Sequence, residues 1–431
     1  MNLKCKETQI KNKQRRKNMI IRSFECSLRL SKTKKKQLDD MFLEAKWLHN
    51  WLLDQEDVFN LTKSFKTDLY SYNKNGNKIN RKLTTLSIGS AGDYIRKIKQ
   101  DIYNLSKAKK KGKKVGNLKF KSNIITLSPR FQLSEDYRYY KPQLKNKNGK
   151  RQNEYIRCYG LKKLPKDAEI FEVKLLKRSG TYKLQVQFYT NFKERNKTNR
   201  QIGLDFGIKD TLVSSDGQKF KFSIEEKEQN RCKKIQKDLS RSVKGSNNRL
   251  KLCYKLQKAN ERIHNIKKDW VNKLLHNLLK DYDIIVFQDE NIKGWQSGWF
   301  GKQVYNSVLG TIKAKLLQKQ EENKKTKQNT IIKIDKYLPT TAMCPACGKI
   351  TKHSLDKRVF KCECGYTEDR DVHAAKNILK FGLESNKSLV GLVESEFKSV
   401  ENHSSTLVSS FNFSKNIYEA ENVRSDSYIW S

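Results

Sequence analysis

The sequence predicts a multidomain α+β chain in three parts: a small N-terminal β-barrel with helices inserted into it, an α/β unit behind it, and a cysteine ribbon near the end of that unit. Three observations carry this expectation. The apolar period switches from helical to two-residue at about residue 120, and strands alternate with helices past residue 200. Four of the nine cysteines fall together between 344 and 364. Lys plus Arg outnumber Asp plus Glu by 91 to 46, and a formal charge of +45 would repel itself in a compact monomer unless a polyanion neutralised it. Nucleic acid is therefore the expected partner. At 431 residues the chain has room for about two to four domains.

Residues 1–18 form a basic arm expected to lie outside the fold. From Met19 the alternation of Ile20, Arg22 and Phe24 with Ile21, Ser23 and Glu25 predicts a strand. Ser31 is placed to cap the helix that follows, where Leu38, Met41, Phe42, Ala45, Leu48 and Leu52 recur at helical spacing. Trp47 and Trp51 share a neighbouring face, as packing aromatics in the first reading and as base-stacking ones in the second. Ala91, Tyr94, Ile95, Ile98, Ile102 and Leu105 mark a second helix. It runs into Lys109, Lys110, Lys111, Lys113 and Lys114, and Lys119 and Lys121 follow. These seven lysines are the expected nucleic-acid contacts. The barrel strands follow around Ile124 to Leu127, Tyr155 to Cys158, Phe171 to Leu175 and Tyr182 to Phe188.

From Gln201, IGLDFGIKDTLVSSDGQKF reads as strand, turn, strand. Asp205 lies in the first strand, and Gly203, Gly207 and Gly217 permit close approach. A basic helical region spans about 224–280, with Ile263, Ile266, Trp270, Leu274 and Leu278 on one face. It leads into a buried strand at Ile284 to Phe287 that ends in Gln288, Asp289 and Glu290. Alternation would place Gln288 and Glu290 on one side of that strand and Asp289 on the other. A helix over 307–318 and a strand over 331–334 return the chain to the ribbon.

In the ribbon, Cys344 and Cys347 are spaced C-x-x-C, and Cys362 and Cys364 follow after a spacer with room for a short hairpin, so four thiolates can converge on one tetrahedral zinc ion. His353 is an alternative ligand or a polar hairpin residue. Behind the last cysteine stand Glu368, Asp369, Arg370 and Asp371 at the entrance of a helix. Carboxylates there either cap the helix or hold a hard divalent cation such as Mg²⁺. Residues 385–431 read as a flexible tail. Without a membrane-length apolar run or a signal-peptide core the protein is expected in the cytoplasm, and Cys5, Cys26, Cys158, Cys232 and Cys253 are expected to be free thiols.

Asp205 in a glycine-flanked strand, the acidic cluster at 288–290 and Asp371 behind four cysteines stand in an order that resembles the split RuvC nuclease of TnpB proteins (the OrfB zinc-ribbon family) and of the miniature type V CRISPR effectors. VGNLKFKS at 115–122, PTTAMCPACG at the ribbon entrance and DRDVHAAKNI extend the likeness over most of residues 19–380. The resemblance implies an RNase H-like (RuvC) α/β core at 196–340 and 366–384 and a zinc ribbon at 341–365. It also implies a wedge β-barrel at 19–30 and 120–195 and a helical recognition domain at 31–119. The implied activity is that of an RNA-guided DNA endonuclease with a guide RNA and target double-stranded DNA as partners, acting singly or as a homodimer on one RNA. The implied chemistry is hydrolysis with two Mg²⁺ ions, for which Asp205 and Asp371 match the family motif.

The middle acid departs from the pattern: where the family has Glu-Asp-Leu-Asn, this chain has Gln288-Asp289-Glu290-Asn291. Either Glu290 takes the role, which is the reading adopted, or Asp289 swings in through a bulge, or the centre is inactive and the protein is an RNA-guided DNA-binding repressor. A general RNA-binding ribbon protein would have no need of Asp205, and no recombinase constellation of Tyr or Ser stands out.

Overall fold

The computed structural model describes residues 16, 19–55, 58–59, 68–72, 75–128, 131–133, 139–142, 144–145, 151–152, 155–192, 195–351 and 357–400. The expected arm, apart from Arg16, lies outside the described residues, as do His353, Cys5 and the tail beyond residue 400. Arg16 itself does not stand off the fold. It pairs with Glu169 and lies over the ring of Tyr189.

Strand β1 (Ile20–Arg29) leads into helix α1 (Lys32–Leu53), capped by the Ser31 hydroxyl accepting the amide of Lys34. All six apolar positions read as its inner face are buried. A hairpin that the sequence did not announce, β2 (Asp68–Tyr72) with β3 (Lys78–Lys82), precedes α2 (Ile88–Lys110). Glu44 of α1, buried at 4% exposure, accepts the amides of Thr84, Thr85 and Leu86, and so fixes the turn into α2.

After α2 come β4 (Thr126–Leu127), β5 (Phe131–Leu133), β6 (Tyr139–Pro142), the small hairpin β7 (Leu144–Lys145) with β8 (Arg151–Gln152), β9 (Ile156–Tyr159), β10 (Glu169–Arg178) and β11 (Thr181–Thr190). Six of these strands and β1 form one seven-stranded sheet in the order β4-β10-β11-β1-β9-β6-β5, with antiparallel pairing. Its inner residues, Val173, Leu175, Leu184 and Val186, share a single apolar core with Leu38, Phe42 and Leu48 of α1 and Ala91 and Ile98 of α2.

The second body is a five-stranded sheet ordered β14-β13-β12-β15-β16, built from β12 (Gln201–Phe206), β13 (Leu212–Ser214), β14 (Lys219–Phe220), β15 (Ile284–Gln288) and β16 (Thr330–Ile334). Strands β12, β15 and β16 run parallel, while β13 and β14 return antiparallel. The basic region read as one stretch is two helices, α3 (Glu226–Arg241) and α4 (Asn247–Asp281). They are broken near Gly245, whose φ of +85° no helix accommodates. Two short helices, α5 (Ile292–Ser297) and α6 (Gly301–Asn306), precede α7 (Leu309–Thr326).

Alternation sorts the faces of this sheet. Ile202, Leu204, Phe206, Ile285 and Phe287 pack with Leu274 and Leu278 of α4 and Ile312 and Leu316 of α7. Val286 and Ile334 on the opposite face meet Ile378 of α8 (Arg370–Val400). Helix α8 runs on to Val400, where a flexible tail was expected from 385. The described hairpin of the ribbon, β17 (Val359–Lys361) with β18 (Thr367–Asp369), encloses Cys362 and Cys364 in its turn, while residues 352–356 of the spacer, where a hairpin was expected, lie outside the described residues. No helix among the described residues is long and apolar enough to cross a membrane.

Candidate functional site

Strand β12 carries Gly203 and Asp205 on its α8 face. A Cβ on Gly203 would lie 2.1 Å from the carbonyl oxygen of Ala375, so glycine is what allows α8 to pack directly against the strand. Two residues of strand advance about 6.7 Å and four residues of helix about 6 Å, so one step from the Gly203–Ala375 contact brings Asp205 into register with Asp371. Glu290, just beyond β15, adds a third carboxylate. Burial, then the charges of Asp371 and Glu290, push the Asp205 pKa up to about 8. Burial raises Glu290 as well, against the pull of Lys313 and Lys336.

The polar trio after β15 divides sharply. Strand β15 ends at Gln288, and the Glu290 amide folds back onto the Gln288 carbonyl at 2.9 Å, so the expected alternation does not continue to Glu290. Gln288 is buried at 4% exposure. Its amide nitrogen donates to the carbonyls of Asp335, Lys336 and Leu338, and its oxygen accepts the Thr340 hydroxyl. Asp289 pairs with Lys313 at 2.5 Å and Lys333 at 2.7 Å, and these two cations hold its carboxyl below the usual range despite burial. Only Glu290 of the three stands in the field of Asp205.

At the entrance of α8 the capping reading of the acids holds for one of them. Asp369 is the cap: its carboxylate accepts the amides of Asp371 and Val372 and pairs with Lys219. Glu368 is engaged by Lys376 and the Tyr366 hydroxyl. Asp371, half-buried, is left toward Asp205, with Arg370 at 3.6 Å.

The four cysteine sulfurs all lie within 4.8 Å of one another, with Cys344 to Cys364 at 3.6 Å and Cys347 to Cys362 at 3.5 Å. Tetrahedral zinc with ~2.3 Å bonds needs sulfurs ~3.8 Å apart, so the cluster fits that ion. Burial opposes ionisation of Cys344, but the amides of Cys347 and Ala346 outweigh it and draw the thiol down to about 7. Phe360 of the ribbon stacks on His373 of α8 at 3.8 Å, and Asn377 of α8 donates to the carbonyls of Thr340 and Met343. The cysteine ribbon is thereby locked to the helix that carries Asp371.

Among the described residues only the cysteines converge this tightly; the three carboxylates stand in a looser group. Cys26, Cys158, Cys232 and Cys253 are free thiols, as expected.

All seven lysines of the basic segment are exposed. The Lys119 carbonyl faces His49 at 3.2 Å, and Asn50 exchanges two hydrogen bonds with the Lys121 backbone, so the segment is pinned along α1. Beside it opens a cleft of about 430 Å³ lined by Trp47, Trp51, Tyr70, Tyr72, Arg81 and Phe120. The two tryptophans pack half-buried on the core and also wall this cleft. The hairpin that completes the cleft was missed because Leu69, Ser71, Ile79 and Arg81 alternate too briefly to stand out from a polar loop.

Residues 180–296 match the family described as a probable transposase (OrfB_IS605), and residues 312–378 match the Cas12f1-like TNB domain. A putative RNA-guided DNA endonuclease of Streptomyces pristinaespiralis is 29% identical over 192 residues, 44% of this chain and 47% of that protein. TnpB-like protein L79 of Acanthamoeba polyphaga mimivirus is 32% identical over 203 residues, 44% of this chain and 38% of that one. Putative RNA-guided DNA endonuclease InsQ of Escherichia coli (strain K12) is 27% identical over 196 residues, covering 42% and 48%. The chain thus spans about half the length, or less, of the curated relatives it matches. The cryo-EM structure of a Cas12f1-sgRNA-target DNA complex aligns over 67% of this chain and 70% of that one, with 14% identity and a TM-score of 0.41.

Proposed function

We infer, from a chain whose residues 180–296 belong to the probable-transposase family and whose residues 312–378 belong to the Cas12f1-like TNB domain family, that this protein is an RNA-guided DNA endonuclease. The observation that carries the reading is that Asp205, Glu290 and Asp371, borne by β12, the segment after β15 and α8, are all half-buried, with the latter two near enough for their charges to raise the Asp205 pKa. Three half-buried carboxylates near one another suit hard divalent cations, which oxygen ligands of this kind bind. They would hold Mg²⁺, and bound Mg²⁺ would supply activation of water and stabilisation of the leaving oxygen of a phosphodiester.

The chain's own residues then have definite roles. Asp205, fixed in a central strand, would be one of the residues that hold the cations. Asp371 is aimed by the helix that the ribbon anchors and Asp369 caps, and Glu290 supplies the middle carboxylate in place of Gln288. A guide RNA and the target DNA would neutralise the charge of +45, with the 109–121 lysines among the phosphate contacts. On this reading the seven-stranded sheet is the wedge domain and α1 with α2 belongs to the recognition domain.

The test is cleavage of a matched duplex by the protein purified with its flanking noncoding RNA in Mg²⁺. Wild type is expected to cut, and Asp205→Ala, Glu290→Ala and Asp371→Ala each to lose at least about 100-fold, the scale for losing a group that stabilises transition-state charge. Normal cutting by Glu290→Ala would remove it from the site. Binding of matched DNA without cutting by wild type would make the protein an RNA-guided repressor.

A further inference from the structure

Gln288 sits where the resemblance expects an acid, yet its side chain is committed elsewhere. Its amide gathers the carbonyls of Asp335, Lys336 and Leu338 at 3.2, 3.2 and 3.3 Å and takes the Thr340 hydroxyl at 3.0 Å. A carboxylate in its place would face three carbonyl oxygens with no proton to share. The same loop is tightened by the Asp335 carboxylate accepting the Tyr337 amide at 2.8 Å, and from α8 by Asn377 on the Thr340 carbonyl at 2.8 Å. The backbone of 335–340 is therefore held from beneath by buried polar groups.

What that backbone presents outward is Lys336 and Tyr337. The Tyr337 ring is 82% exposed with the Lys336 ammonium 4.5 Å from its centroid. Lys336 is also close enough to Glu290 to favour its ionised form. A single exposed aromatic is ordinary on any surface. An exposed ring on a backbone fixed by side-chain hydrogen bonds, next to a cation at the rim of a carboxylate centre, has the parts of a platform for one nucleotide. Such platforms pair a cation for the phosphate with a π-face for the base.

We propose that the Lys336–Tyr337 turn seats one unpaired nucleotide beside the carboxylate centre, Tyr337 stacking its base and Lys336 meeting its phosphate, and that Gln288 is the positioning residue that holds this seat in place. The proposal rests on the nuclease reading for its substrate, and it makes that substrate a single strand at the centre, because a paired base has both faces covered by its neighbours.

The experiment uses the full chain with its RNA. In EDTA, a short single-stranded oligodeoxynucleotide carrying 2-aminopurine is titrated in and its fluorescence followed; in Mg²⁺, kcat and KM are measured on the same strand. Tyr337→Ala leaves the core untouched and is expected to weaken binding about tenfold, within the range for losing one aromatic stack, and to abolish the 2-aminopurine quench. The loss is expected in KM with kcat nearly kept, and Tyr337→Phe restores it. Gln288→Leu is expected to reproduce the Tyr337→Ala loss of quench. Unchanged quench and KM in Tyr337→Ala, or a Tyr337→Phe as defective as the alanine variant, overturns the seat. Asp205→Asn keeps the quench, so a wild type that never cuts but whose quench depends on Tyr337 retains the seat while the nuclease reading falls.

Discussion

Gln288 and Glu290 are two residues apart and do unrelated work, because β15 ends between them and the backbone folds back. The exchange Gln288→Glu separates the explanations of the unusual motif. If residue 288 were a displaced metal ligand, glutamate would raise cleavage. With three carbonyls around the side chain, we expect it instead to lower cleavage and to destabilise the fold by about 1–3 kcal/mol, measured by urea unfolding. Asp205 gives a pH signature. Its folded pKa, near 8, exceeds the unfolded value near 3.8, so between these the native state binds a proton that the unfolded chain has released. Its contribution is full below the lower pKa and lost as pH rises through the upper one. In EDTA the unfolding free energy of wild type, and with it the thermal midpoint, is expected to fall relative to Asp205→Asn from pH 5 to 8, the free energy by on the order of 2–4 kcal/mol at pH 7. Mg²⁺ is expected to reverse the order at pH 8, since cation binding favours the carboxylate. A midpoint difference flat with pH would remove Asp205 from a desolvated acidic centre.

At the scale of elements, the register between β12 and α8 rests on the absence of one side chain. Gly203→Val would drive a branched group into the Ala375 carbonyl, and α8 must shift outward with Asp371 on it. The expected cost is about 1–3 kcal/mol in stability. Cleavage is expected to fall far more than that loss explains, because a displacement of about 1 Å at such a centre is worth about 100-fold. Retained cleavage in a folded Gly203→Val protein would show that the helix does not set the distance. The ribbon fixes the same helix from its other side through Phe360 on His373. Cys347→Ser is expected to lower bound zinc from one equivalent toward none by elemental analysis and to raise amide exchange at 370–376. Loss of zinc with unchanged exchange would make the ribbon independent of α8.

Across the whole molecule the two bodies are bridged by ion pairs, Arg22 with Glu322 at 2.6 Å and Lys183 with Glu261 at 2.5 Å. Affinity for RNA is expected to fall steeply with salt. Replacing Lys109, Lys110, Lys111, Lys113 and Lys114 by Gln is expected to flatten the log–log slope by roughly 0.7 for each phosphate no longer neutralised. An unchanged slope would place the RNA elsewhere.

How much of this was legible follows from which forces act locally. The inner face of α1, the Ser31 cap, β12 with its aspartate and the four cysteines announced themselves, since periodicity, capping and ligand spacing are written in neighbouring residues. The family likeness followed from the same short motifs. The β2–β3 hairpin, the break near Gly245, the course of α8 past 385 and the placing of Cys362 and Cys364 in a turn were not legible, because each is decided by partners far along the chain. The same holds at the centre. The sequence by itself set out three acidic positions and the puzzle of Gln288. Only the tertiary structure divided the trio, giving Gln288 to the 335–340 loop, Asp289 to two lysines and Glu290 to Asp205, since which charge a carboxylate faces depends on what the fold packs against it.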